Sequence, residues 1–167
     1  MNKQRGFTLI ELLIVIVVLG ILAVAILSAI NPIEQINKAN DAGTQSDSAE
    51  FINASERYFA SNQKWPWESA DPVEAIEPEG AAYTQVSSLT GSLAVLTASD
   101  EVKSEFVTRA SMAKIYIQLR GTGSSQYLRA CFEPSSQTFK NNTKQFDATI
   151  VLYTGAVGGG FCVPGVL

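Results

Sequence analysis

The strongest constraint on this chain is an apolar block from Leu12 to Ile30, broken only by Gly20 and Ser28. Counted from Phe7 to Ile30 the stretch holds 24 residues, about 36 Å as an α-helix and enough to cross a hydrocarbon core of roughly 30 Å. Two basic residues, Lys3 and Arg5, precede it, and the positive-inside rule then leaves the N-terminus in the cytoplasm. Everything after Asn31 is placed outside, where a disulfide can persist. One carboxylate, Glu11, sits near the start of the block. Charges at bilayer depth are costly, and are usually functional and paired. The alternative for Glu11 is an interfacial position, from which it needs only to snorkel.

The leader is not an ordinary secretory signal. Such a signal places its apolar core before the cleavage point, with small residues at the cut. Here the apolar core follows the Gly6-Phe7 junction and so stays in any product cut there. A short basic leader ending in glycine, then Phe7-Thr8-Leu9-Ile10-Glu11, then an apolar span, resembles the N-terminus of type IV prepilins and pseudopilins. The close resemblance covers about residues 3–30, and a weaker similarity in the order of elements extends over the rest. It implies that Gly6 is the last leader residue and Phe7 the first mature one. It also implies a prepilin peptidase that cuts after Gly6 and methylates the new amine of Phe7, and an assembly role for Glu11.

Formal charge is −4, from 12 basic and 16 acidic side chains. Loss of residues 1–6 would remove Lys3 and Arg5, leaving 10 basic against 16 acidic, or −6. That balance argues against a nucleic-acid partner, which needs clustered Lys and Arg. The chain has no histidine, so it lacks the commonest general base and the commonest metal ligand. No conventional triad can be assembled, and no motif supports a Ser-Lys dyad. The expectation is a non-enzyme with no cofactor and no metal.

Asn31-Pro32 ends the pure apolar run, either as a cap and first turn or as a kink in one helix. Related pilins often carry a proline about one turn earlier, where this chain has Ser28. From Ile33 to about Ser61, the series Ile36, Ala39, Ala42 or Gly43, Ser46, Ala49, Ile52, Ser55 and Phe59 keeps helical spacing. The second half, with Phe51 and Tyr58, is expected to pack on a globular domain, and the first half to face neighbouring subunits. Residues 7–61 are read as one long helix, stopped by Trp65-Pro66-Trp67.

The segment Glu68–Gly80 carries five acids, Glu68, Asp71, Glu74, Glu77 and Glu79, and reads as a solvated loop without calcium-ligand spacing. Residues 86–108 read as a short helical or irregular connector. Strands are expected at 113–119, 127–132 and 146–153, with a turn at 121–125. Gly158-Gly159-Gly160 lacks the Lys and Ser/Thr of a P-loop and reads as a flexible turn. Asn53-Ala54-Ser55 and Asn141-Asn142-Thr143 match the glycosylation triplet, which often arises by chance.

The fold class expected is α+β: a long N-terminal helix, half membrane span and half amphipathic, packed on an antiparallel sheet of three or four strands. The divisions are a leader at 1–6, a transmembrane and assembly helix at 7–30, and an extracytoplasmic domain at 31–167. The resemblance implies that Cys131 and Cys162 are joined, tying the C-terminal segment to the sheet as in many type IV pilins; two free buried thiols are the alternative. It also implies a self-polymerising subunit, working with a prepilin peptidase and a pilus assembly machinery. Such a subunit waits in the cytoplasmic membrane and ends in an extracellular fibre. A secretion pseudopilin is a variant of that reading. A single-pass binding module that never polymerises is the rival, and it leaves Gly6, Phe7 and Glu11 unexplained.

Overall fold

The computed structural model describes residues 6–29, 31–76, 83–121, 126–142, 144–148, 150, 152 and 159–163. The chain divides into two compact units, Met1–Ile36 and Asn37–Leu167.

The first unit is built on α1 (Leu9–Ala29). Leu9–Ser28 has a mean hydropathy of 3.2, and none of it is buried. Large aliphatic side chains lie open all round it, among them Leu9, Ile14, Val18, Leu22 and Ile26. A helix apolar on every face has no solvated side, and it is stable only where lipid or other helices cover it.

The helix expected across 7–61 is divided at Asn31, which lies outside helical geometry ahead of α2 (Pro32–Asn62). Asn31 Oδ1 accepts the Glu34 N–H at 3.2 Å, and its carbonyl accepts the Gln35 N–H at 3.3 Å. Pro32 sits where a missing N–H costs nothing. The cap-and-first-turn alternative therefore describes this junction.

In the second unit α2 buries Asp41, Thr44, Ser48, Phe51, Ile52, Ala54, Ser55 and Tyr58. The C-terminal part matches the expected packing face. The first part, expected to face neighbouring subunits, is open in the single chain: Ile36, Ala39, Ala42, Gly43 and Ser46 are exposed, while polar Asp41, Thr44 and Ser48 point inward. Polar residues with local partners occupy the buried stripe. Ser48 Oγ donates to the Thr44 carbonyl at 2.8 Å and Thr44 Oγ1 to the Asn40 carbonyl at 3.1 Å. After α2, Trp65 leads into α3 (Pro66–Ser69). Phe59, Trp65 and Trp67 stack, with ring centroids 4.5 and 4.9 Å apart along the series.

Among the described residues the sheet has five antiparallel strands: β1 (Thr84–Gln85), β2 (Tyr116–Arg120), β3 (Tyr127–Phe132), β4 (Phe146–Asp147) and β5 (Gly160–Val163). Their spatial order is β1-β2-β3-β5-β4. The β3 range is the one read from the sequence. The strand expected at 113–119 starts late, because Ala110–Ala113 is a 3-10 turn. Of the strand expected at 146–153, only the first two residues pair; Thr149, Val151 and Tyr153 lie outside the described residues. The turn beginning at Gly121 likewise continues into undescribed residues, 122–125. The 86–108 connector contains α4 (Thr90–Ala98) and α5 (Ser104–Val107).

One face of the sheet presents Ile117, Leu128 and Ala130 to the main core, with Phe51, Ile52, Leu93, Leu96 and Phe106. The other carries Cys131, Cys162 and Tyr83, under Ile150 and Leu152. The arrangement is α+β. Arg109 fastens the 110–113 turn to α2 through Asp47 and Glu50, and Arg57 meets Glu101 at 2.8 Å.

Two acids of the expected solvated loop are occupied instead. Glu68 accepts the Trp65 N–H at 2.7 Å, and Glu74 accepts the Gly91 and Ser92 N–H groups at 2.8 Å each, capping α4. Glu77, Glu79 and Gly80 lie outside the described residues.

Candidate functional site

The first group of residues singled out in the sequence lies at the start of α1. Residues 6–8 precede the helix and Phe7 is 86% exposed. Thr8 caps the helix. Glu11 Oε2 accepts both the Thr8 N–H and the Thr8 hydroxyl at 2.8 Å, and Thr8 Oγ1 accepts the Glu11 N–H at 3.3 Å. This is a reciprocal capping box. Thr8 is a residue that the sequence reading leaves out, although its T-x-x-E spacing is the signal for such a cap.

The box turns the Glu11 carboxylate back toward Phe7 and Thr8. Both Thr8 contacts fall on Oε2, so Oε1 has no partner among the described residues. No Lys or Arg lies between Phe7 and Asn37. The arrangement can accept a cation, and the helix itself supplies none. Gly6 is unconstrained by its surroundings: a Cβ built there meets nothing within 4 Å. The fold gives no reason for glycine at this position.

The second group lies in the sheet. Cys131 of β3 and Cys162 of β5 are directly opposed, with Cα atoms 4.1 Å apart, bonded and wholly buried. Their bond fixes the β3–β5 register, which also pairs Ala130 with Val163 and Phe132 with Phe161. Gly159, just before β5, has φ +71°. Asn53 and Asn141, of the two glycosylation triplets, are both exposed. Among the described residues no three metal-capable side chains come together.

Compared with known families, residues 1–27 match the prokaryotic N-terminal methylation motif. This is a type IV prepilin-like cleavage and methylation motif, and it includes Gly6, Phe7 and Glu11 along with most of α1. The match is confined to the leader and most of α1; it supports a type IV pilin- or pseudopilin-like protein and says nothing of the domain that follows. Neither the curated proteins nor the solved structures yield a match to the chain.

Proposed function

We propose that this chain is a structural, non-catalytic subunit of a type IV pilus. A prepilin peptidase cuts after Gly6 and methylates Phe7. Before assembly α1 crosses the cytoplasmic membrane with its N-terminus inside. The chain then polymerises through α1 into a surface fibre serving adhesion, motility or uptake.

The observation that carries this reading is the pairing of a wholly uncovered apolar helix with one carboxylate in its first turn. Apolar surface leaves lipid without penalty only if other apolar surface replaces it, and neighbouring copies of α1 offer that surface. Inside such a bundle Glu11 needs a counter-charge, because an unpaired buried ion is strongly unfavourable. With the leader gone, the α-amine of Phe7 is the only cation this end of the helix has.

A secretion pseudopilin shares the motif. The Cys131–Cys162 bridge favours the pilus, since pseudopilins often lack it. The test is mass spectrometry of the N-terminus in a sheared surface-fibre fraction. The reading expects a methylated chain beginning at Phe7. A chain retained in the membrane with Met1 still attached overturns it.

A further inference from the structure

Among the described residues, Arg129 of β3 is a cation that the fold buries without a hydrogen-bond partner for its Nε and Nη2. It is 8% exposed. Arg57 and Arg109 show the opposite pairing of properties: their side chains are 54% and 46% exposed, yet both contact carboxylates. A guanidinium stays protonated at any physiological pH, so burial cannot be relieved by losing the charge. Compensation has to come from an acceptor, and an anion is the one that also balances the charge.

We infer that Arg129 is the centre of an oxyanion-binding site on the sheet face turned away from α2. Strand alternation puts Arg129 on the same face as Tyr127 and Cys131, opposite Gln118 and diagonal to Arg120. Arg120 lies about 7–8 Å away across that diagonal and donates to the Tyr83 hydroxyl at 3.3 Å. The face thus divides into an apolar half around the Cys131–Cys162 bridge, which includes Tyr83, and a half holding Gln118, Arg120, Tyr127 and Arg129.

The ligand chemistry follows from the guanidinium. Its planar fork offers parallel N–H groups that match the two oxygens of a carboxylate or phosphate, and a spherical anion cannot use both. A dissolved oxyanion and a carboxylate presented by a second copy of this chain share that chemistry. The site does not depend on the fibre reading, because the first source needs no assembly.

The test uses the full chain, labelled with 15N-arginine, in detergent micelles. The Arg129 Nε–H resonance is identified by its loss in Arg129→Lys or, should that variant not fold, through the β3 backbone. Sodium phosphate and sodium acetate are titrated against sodium chloride at equal ionic strength. A saturable shift of this resonance with phosphate or acetate but not chloride, together with a rise in Tm of about 2–4 °C, supports the site with a dissolved ligand. A shift of this resonance absent from the dilute micelle, but appearing as copies associate, supports it with the carboxylate of a second copy. A resonance that exchanges freely with water and ignores both anions and association overturns the inference, whether or not fibres form.

Discussion

Asp41 of α2 accepts the backbone N–H of Ser136 at 2.7 Å, and that of Ser135 at 3.0 Å. One carboxylate, 4% exposed, thereby anchors the segment that follows β3 to the helix. Ser136 in turn caps α6 (Gln137–Lys140) by accepting the Phe139 N–H at 3.3 Å. Asp41→Ala strands two N–H groups and should cost about 2–3 kcal/mol, since bonds to charged acceptors are worth roughly 1.5–3 kcal/mol. Asp41→Asn keeps one acceptor and should cost less. Urea unfolding measures both, and an unchanged midpoint for Asp41→Ala would contradict the anchoring role.

The Cys131–Cys162 bridge closes a separation of 31 residues. In the chain-entropy treatment such a loop is worth roughly 3–4 kcal/mol. The paired replacement Cys131→Ser with Cys162→Ser should lower stability by about that amount. Hydrogen exchange should rise first in β4 and β5, while α2, β2 and β3 keep their protection. Uniform loosening of all five strands would show that the bridge does more than hold the C-terminal edge.

Gly159 is legible in the sequence only as part of a glycine run. The structure gives it φ +71° and packs β4 against it: an added Cβ would lie 2.7 Å from Phe146 Cζ and 2.9 Å from Ala148 Cα. Gly159→Ala should therefore destabilise by about 1–3 kcal/mol. A thermal midpoint within error of wild type would show that β4 moves aside freely.

What a sequence window exposes follows the range of each interaction. The apolar span, the T-x-x-E cap and β3 are local patterns, so a single window holds them. Asp41 is different: its burial depends on Ser135 and Ser136, 94 and 95 residues later. No periodicity rule places a carboxylate in a buried stripe. The same kind of separation hides Glu74, whose partners are Gly91 and Ser92. β1 and the Phe146–Asp147 strand pair over only two residues each, too short for alternation to register. Arg129 reads from the sequence as part of an ordinary strand, because the burial of its Nε and Nη2 without a hydrogen-bond partner becomes visible only after the fold is assembled.

Gly6 contrasts with Gly159. An added Cβ at Gly6 would meet nothing within 4 Å, so Gly6→Val should leave folding unchanged. It should nevertheless block removal of the leader, if glycine serves to fit the backbone into a narrow protease site. The readout is the membrane fraction, where uncleaved precursor should accumulate with a normally bridged Cys131–Cys162. Efficient cleavage of Gly6→Val would remove the peptidase from the account.

Glu11 carries the last prediction. Its carboxylate is held by Thr8 within its own chain, and that contact alone would stabilise a monomer without setting any register between copies. Oε1 is left for a second donor. On the proposed reading, cleavage after Gly6 makes two amines available to it. One is the amine of its own Phe7, four residues back on the same helix face. The other belongs to a neighbour shifted along the fibre axis. Only the neighbour's amine couples charge neutralisation to subunit stagger. Glu11→Gln keeps an oxygen for the Thr8 cap and loses the charge, so it separates the two roles. It should insert normally and fold normally over residues 33–167, yet form few or no fibres. Mixed with wild type, it should enter fibres poorly. Thr8→Val loses the hydroxyl and keeps the charge, and should assemble far better than Glu11→Gln. Fibre number and length are counted by electron microscopy. Wild-type fibres from Glu11→Gln alone would show that the carboxylate is a helix cap and nothing more.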